Sequence, residues 1–571
     1  MDMQETNDND SSGRFSSEET AGRHAKAWFS KRWLPLGLLL LAVAGVLFVQ
    51  NGLEVDQQKR NVYSWMVSGI AGFLLLIWVF GLSLLTTSSK LKLLLAMVVI
   101  VGLGFGLLKI KKTDGDLVPQ FVWRWSQPPD VLLDPLEIGP IDPVVGYQGE
   151  KTVGLHDYPQ FLGPARNGEV KGLRLKTDWD KSPPRELWRR AIGAGWSSFA
   201  VKGKKAITQE QRGPDEMVVC YDVLTGEPFW QHIDKARYKT TLGGIGPRAT
   251  PTIAHAQVFT VGATGILNCL SLHGGKLLWS RNILDDADAP APQWGVSCSP
   301  LVVGDLVIVS SGVLVDNAAD RVDADAGFES SAPGKSLAAY DRLTGELVWA
   351  GGRSSASYGS PMLATFHGEQ QILMLNHLNV TGHDLKTGKP LWHAPWPGAN
   401  PKVSQPVMLG ENRLFVSSGY TVGSAVFQVE RSTEGKWSAK QSWKNIAMKS
   451  KLSTIVRRGD HVYGFNDGIL ACVNTTSGKR TWRGGRYGHG QLILVGDHLL
   501  VLAEAGYIAL VQARPIAFRE LTRFEVLKDK TWNTHALAGK FLLVRNDQEV
   551  VCLELKVEDT DSKKSAVNEI K

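Results

Sequence analysis

Tryptophans, cations and hydrogen-bonding side chains recur at one relative position along this chain. They are Trp196-Ser197-Ser198, Arg248, Trp294 with Ser297, Ser357-Tyr358, Lys402 with Ser404, Lys449 with Lys451, Arg486-Tyr487 with His489, and Lys530 with Trp532-Asn533 and His535. Such a set can hold a flat or anionic ligand, with the aromatic faces stacking and Arg248, Lys451 and Arg486 pairing with charge. Gly195, Gly246, Gly295, Gly359, Gly488 and Gly490 flank these residues and permit close backbone approach. The candidate ligand-binding residues are Trp196, Ser197, Arg248, Trp294, Tyr358, Lys451, Arg486, Tyr487, His489, Trp532, Asn533 and His535. The competing reading is that these groups satisfy one another and order water, because buried polar rings also need partners. Acids are scarce at the same positions: only Glu210, Asp467 and Glu504, with the amide of Asn533, could supply oxygen ligands. His489 and His535 lack a Cys or carboxylate at ligand spacing, so no metal site is assigned. The sequence also shows no P-loop, catalytic-triad motif or zinc signature.

The elements that position these residues are repeats. An apolar strand followed by Asp-x-x-Thr-Gly-x-x-x-Trp occurs at Asp222–Trp230, Asp341–Trp349 and Asp384–Trp392, with looser copies ending at Trp279 and Trp482. Their glycines are 49, 70, 43 and 90 residues apart, the last gap being two units around a degenerate copy that ends near Trp443. Before each copy stand two short alternating strands, opened by Thr250-Pro251, Ser299-Pro300, Ser360-Pro361 and Gln405-Pro406. Variants without Pro begin near Phe199, Ser453, Gly490 and His535, giving eight starts. A unit of about 45 residues with four short strands is the size of one propeller blade. Asp and Thr-Gly make the turn into the outermost strand, and the Trp packs on the next blade. The last unit, Thr531 to Leu555, has three strands. Leu187-Trp188-Arg189 supplies the fourth and closes an eight-bladed ring of four-stranded blades.

The repeat resembles the tryptophan-docking motif of the quinoprotein, or PQQ-like, β-propellers. The likeness runs from about Asp157 to Leu555 and includes the opening Asp157-Tyr-Pro159-Gln-Phe161-Leu-Gly163-Pro164-Ala-Arg-Asn-Gly168. The resemblance implies two possible functions, PQQ-dependent dehydrogenase or non-enzymatic scaffold of the BamB type, so fold does not settle function. A dehydrogenase implies a PQQ tricarboxylate held with Ca²⁺ by converging oxygens, and an Asp base. None of the acids here sits in a motif matching those ligands, and the adjacent Cys-Cys pair of many such enzymes is absent. The expected function is therefore ligand binding or protein interaction without catalysis, with a membrane-bound PQQ-dependent alcohol or sugar dehydrogenase as the alternative.

Three apolar runs precede the repeats: Leu34 to Val49, Tyr63 to Leu85 and Leu93 to Leu108. Three runs, rather than one followed by a cleavage site, read as transmembrane helices within residues 34–110. Arg23, Lys26, Lys31, Arg32, Lys90 and Lys92 lie on one side; Lys59, Arg60, Lys109, Lys111 and Lys112 lie on the other. Six cations against five lean toward a cytoplasmic N-terminal tail (1–33) in the inner membrane and a periplasmic C-terminal part. Residues 111–155 are expected as a Pro-rich linker, 156–556 as the propeller and 557–571 as a disordered tail. Net charge is only +7 over 571 residues, which argues against a nucleic-acid partner. Cys220, Cys269, Cys472 and Cys552 share one strand position in four repeats and are expected as packed thiols. Asp316, Asp320, Asp323, Asp325 and Glu329 lie in an insertion in the third unit, read as a solvated acidic lid rather than a Ca²⁺ loop.

Overall fold

The computed structural model describes residues 33–139 except Leu84, 156–311, and 335–558 except Ala399. The acidic insertion, most of the N- and C-terminal tails and the later part of the linker therefore lie outside the described residues. The chain divides into two units, Met1–Ser126 and Gln127–Lys571.

The first unit holds three helices long and apolar enough to cross a membrane: α1 (Trp33–Gly52), a second spanning Gln57–Gly81, and a third spanning Thr87–Leu107. In the second, the α-helical part α2 (Gln57–Ile77) runs into a π turn at Trp78–Leu82. It starts on Asp56, whose carboxylate accepts from the Lys59 N–H; α3 (Thr87–Leu107) starts on Thr86, which accepts from Ser89. No residue of α3 is buried, although Leu91, Ile100 and Phe105 are among its side chains. A helix that is apolar all round suits lipid rather than water. The stretch expected to be linker begins with a hairpin instead. Strand β1 (Leu108–Thr113) leaves α3 directly and pairs antiparallel with β2 (Pro119–Trp123).

The second unit is an eight-bladed propeller of antiparallel four-stranded blades, as the repeats indicate. Blade 1 holds residues 200–234, blade 2 252–282, blade 3 301–351, blade 4 362–395, blade 5 407–445, blade 6 456–486 and blade 7 491–525. Blade 8 takes its inner three strands from 536–554 and its outer strand from Arg185–Ala191, with Trp188 opposite Cys552. Middle strands lie between neighbouring blades and are buried on both faces, as is every residue of Gln257–Val261. Outer strands alternate, and only the Trp position of Leu277–Asn282 is buried.

The Asp-x-x-Thr-Gly turn works as its residue types require. Asp222 Oδ1 accepts from the N–H groups of Leu224 and Thr225 at 2.6 and 3.0 Å, and Asp341, Asp384 and Asn474 repeat the arrangement. The glycine has positive φ, +75° at Gly226, and a Cβ there would stand 2.6 Å from the Trp188 ring of the preceding blade. Trp230, Trp279, Trp349 and Trp443 sit likewise on Gly275, Gly345, Gly388 and Gly478. Most of these indoles also donate to a carbonyl of the next blade, as Trp188 does to Val223 at 2.8 Å and Trp443 to Thr475 at 2.9 Å. Trp392 differs: its N–H turns back to Gln371 of its own blade. The five cysteines are free and buried.

The segment at 157–170 crosses the ring along the inner strands. Tyr158 bridges to Val201 of blade 1, and the Pro159 carbonyl accepts from Ile253 of blade 2. The buried Arg166 guanidinium donates to the carbonyls of Ser299 and Pro300 at 3.0 and 2.9 Å, and Glu169-Val170 pairs parallel with Leu494-Val495 of blade 7. Asp157 accepts from Gly203, in the turn after the inner strand of blade 1. The segment thus ties blades 1, 2, 3 and 7 to one another along their inner strands.

Candidate functional site

The loops leading into the inner strands carry most of the residues singled out at the start, and many of these fall into two layers; Arg486 instead ends the outer strand of blade 6 and Glu210 lies in the second strand of blade 1. The deeper layer is a belt of hydrogen bonds across all eight blade junctions. Ser198 N–H donates to Thr250 Oγ1, Thr250 to Ser299 Oγ, Ser299 to Ser360 Oγ, and Ser360 to Gln405 Oε1, at 2.9–3.3 Å. Ser404 Oγ then donates to the Ser453 carbonyl, Thr454 N–H to Gln491 Oε1, and Gln491 Nε2 to the Trp532 carbonyl. Asn533 Nδ2 closes the circle on the carbonyl of Ser197 at 2.9 Å, and also reaches Gly195. Ser197, through its backbone carbonyl, and Asn533, through its side-chain amide, thus close the ring. His535 is buried beside them; burial pushes its imidazole down to about 4, so it is neutral at pH 7.

The upper layer is an arc of half-buried aromatics joined by Arg248 and the buried Lys530 and Lys402. Trp532 and Trp196 lie 5.2 Å apart, with the Lys530 ammonium 3.9 and 4.8 Å from their ring centres. Trp532 Nε1 donates to Glu504 Oε1, and Glu504 Oε2 accepts from the His489 N–H, which fixes the indole. Trp196 Nε1 donates to the Gly243 carbonyl at 2.7 Å, and Arg248 donates to the same oxygen at 3.1 Å. Arg248 also reaches the Gly244 and Gly246 carbonyls and lies over the Tyr238 ring at 4.7 Å; burial lowers it to about 10. A Cβ on Gly243 would touch Trp294 at 2.9 Å, so only a glycine lets that loop pass between the two indoles. Trp294 packs on Tyr358 at 5.5 Å and donates its backbone N–H to the Tyr358 hydroxyl. Burial raises Tyr358 to about 12, and its own N–H donates to the Lys402 carbonyl.

Lys402 ends the arc. It is 1 % exposed, and its ammonium donates to the carbonyls of Gly398 and Asn400 at 2.6 and 2.8 Å. Burial and the charge of Lys444 push it down to about 8, and burial together with the charge of Lys402 lowers His377. Sequence reasoning placed Lys402 in the right loop without selecting it, and missed Gly243, Tyr238, His377 and Lys444 altogether. No periodic signal marks those loop positions.

The remaining candidates stand apart. Lys451 lies over Tyr420 at 4.7 Å, Arg486 is exposed, and Tyr487 directs its hydroxyl to Glu520 on the outer strand of blade 7. The acids considered as metal ligands are dispersed in use. Glu210 is fully buried against Arg212 and Tyr221, Asp467 pairs with Lys449 at 3.7 Å, and Glu504 holds Trp532 and His489. Among the described residues no group of three His, Cys, Asp or Glu side chains could hold a metal ion. These residues do not fit the oxygen donor set that a calcium-bound quinone requires.

Removing the Glu504 carboxylate should loosen the arc at Trp532. Glu504→Ala is expected to red-shift and weaken the indole emission lost in a Glu504→Ala/Trp532→Phe pair, while far-UV dichroism stays unchanged. An unchanged difference spectrum would show that stacking on Trp196 alone fixes Trp532.

Comparison with known proteins places the fold. No curated protein matches the chain. Among solved structures it is similar to BamB from Moraxella catarrhalis, with 15% identity, a TM-score of 0.46 and coverage of 66% of this chain and 99% of that one. It is also similar to a europium-containing methanol dehydrogenase, at 12% identity and a TM-score of 0.48, covering 68% of this chain and 89% of that one. A quinohemoprotein alcohol dehydrogenase from Comamonas testosteroni shows 11% identity and a TM-score of 0.40, with 71% and 82% covered. The family model described as outer membrane protein assembly factor BamB matches residues 187–484, more than half of the 571, and the chain belongs to this family of PQQ-like β-propellers.

Proposed function

We propose that this chain is a membrane-anchored, extracytoplasmic propeller that binds an anionic group on its loop face without carrying out catalysis. The group is a carboxylate of a small flat ligand or of an acidic segment in a partner protein. The observation that carries the reading is the arc from Trp532 to Lys402, in which half-buried aromatic faces alternate with the cations Lys530, Arg248 and Lys402. An ammonium as buried as Lys402 is costly to keep charged, and an anion beside it offsets that cost.

The pH dependence follows from Lys402. Its folded value near 8 lies below the ordinary 10.5, so below pH 8 the ammonium is charged and available to an anion. Affinity for citrate or for a Glu-rich peptide is expected to hold steady at pH 6–7 and to fall as pH rises through 8. Lys402→Met should lower affinity about tenfold or more, the loss of one charge-assisted contact of about 1.5–3 kcal/mol. Titration calorimetry with the two probes separates a small-ligand site from a protein-segment site. Equal affinity in Lys402→Met would remove the arc from consideration. Without ligand, the Lys402 contribution to stability grows as pH rises from about 8 toward 10.5, because the unfolded chain keeps that proton longer.

Two further measurements bear on the same reading. Adding PQQ with Ca²⁺ is expected to produce no bound-quinone spectrum and no dye reduction with alcohols or sugars; both together would establish the dehydrogenase instead. Support for an extracytoplasmic propeller comes from the six cations against five that flank the opposite ends of the spans. A phosphatase reporter fused at the C-terminus should be active; activity only from a cytoplasmic reporter would reverse the topology.

A further inference from the structure

We infer that the hairpin β1–β2, with the residues just after it, is a lipid-docking element that lies in the headgroup–acyl boundary of the bilayer entered by α3. This rests on the reading of the three apolar helices as membrane spans. The residues pair in a register that sorts them by face. Leu108 stands opposite Trp123 and Ile110 opposite Phe121, so these four share one side of the sheet. That side is open: Ile110, Phe121 and Trp123 are 48, 58 and 51% exposed. Trp125 follows, 67% exposed and stacked on Trp123 at 5.2 Å with the rings 8° from parallel. Exposed aromatics in such number on a short hairpin need a cover.

Chain continuity identifies the cover. Helix α3 has 21 residues, about 30 Å at 1.5 Å each, and β1 begins at the next residue. Arg124 binds back to the helix end, its N–H donating to the Leu107 carbonyl and its guanidinium to that of Phe105. The Asp116 carbonyl in the hairpin turn accepts from Asn61 at the start of α2. The sheet is therefore held at the level where α2 begins and α3 ends, which is the membrane–water boundary of a spanning bundle. Tryptophan and lysine favour that level, where an apolar ring meets a polar layer. Lys109, on the face opposite the aromatics, already donates to the Ser126 carbonyl.

The test uses single labels on the full chain in liposomes of phosphatidylethanolamine and phosphatidylglycerol. All five native cysteines are buried, so an added surface thiol is the reactive one. Phe121→Cys, Val99→Cys in α3 and Ile516→Cys in the propeller carry a nitroxide, and collision with oxygen is compared with collision with a water-soluble nickel chelate. The Phe121→Cys label is expected to show an oxygen-to-nickel ratio several-fold above that of Ile516→Cys and below that of Val99→Cys. A Phe121→Cys ratio equal to that of Ile516→Cys, with Val99→Cys still in lipid, would overturn the docking and leave the spans standing. Water-like ratios at both Phe121→Cys and Val99→Cys would overturn both readings. Shielding of Phe121→Cys from both reagents would mean that protein covers the face, and would overturn the lipid assignment.

Discussion

Trp230→Ala is expected to lose roughly 3–5 kcal/mol of propeller stability, the usual cost of truncating a buried aromatic. Trp230 is 1% exposed, its ring lies over Gly275 of blade 2, and its N–H donates to the Leu272 carbonyl at 3.0 Å. Truncation removes packing at the junction and leaves that carbonyl unpaired in a dry site. Trp230→Phe keeps part of the apolar contact and loses the hydrogen bond, so it should be distinctly milder. Hydrogen exchange should quicken first in residues 257–261 and 266–271, the strands of blade 2 that face the lost ring. Trp392→Ala serves as contrast, because its indole bonds within its own blade and its loss should loosen blade 4 internally. A loss below about 1 kcal/mol for Trp230→Ala in urea titration would mean that the docking indole is replaceable.

The second large effect is expected at Arg545, where blade 8 meets blade 1. The side chain is 1% exposed and donates to Thr208 Oγ1 at 2.8 Å and to the carbonyls of Gln209 and Gly193 at 2.9 and 2.7 Å. Glu210 acts on it electrostatically from the same strand, while burial lowers its pKa. Arg545→Met fits the space but leaves three acceptors without donors, and each buried unsatisfied group costs about 1–3 kcal/mol. A total near 3 kcal/mol or more is expected. Arg545→Lys should not rescue it, because one ammonium cannot reproduce the planar fork. Proteolysis under native conditions should then begin at the blade 8–blade 1 junction. Cleavage distributed evenly around the ring would show that Trp188 and the antiparallel closure suffice without Arg545.

How far these features could be read from residues alone depends on whether their signal is periodic. Thr-Gly and Trp recur because each blade must turn and dock in the same way, so eight units were legible, as was closure by Leu187-Trp188-Arg189. Even the degenerate fifth unit could be placed, since Trp443 keeps its seat on Gly478 although its own turn lacks the motif. Blade 7 went further: its outer strand has Thr522 opposite Leu510, yet Trp482 still finds the Arg514 carbonyl. The loops carry no such repetition. Gly243 joins Trp196, Arg248 and Trp294 through a conformation that neighbouring residues do not announce. Lys111, Lys112 and Pro119 read as linker because lysine and proline are poor strand formers, and only the cross-strand pairs Leu108–Trp123 and Ile110–Phe121 show the sheet face. Sequence position alone does not separate Ser197 and Asn533, which bond blade to blade, from Trp196 and Trp532 of the aromatic arc.

The outer strand of blade 8 also has a place in time. Arg185–Ala191 leaves the ribosome early and pairs with Glu549–Glu554, among the last described residues made. Until then it is a bare edge of the kind that recruits other strands, and Glu169-Val170 likewise waits for Leu494-Val495. A nascent chain can thus stack seven blades in order but cannot complete the circle until Glu549–Glu554 have been made. Any product cut short before Glu549 would carry that unpaired edge permanently, so the strand Glu549–Glu554 acts as the latch of the ring and not as one repeat among eight.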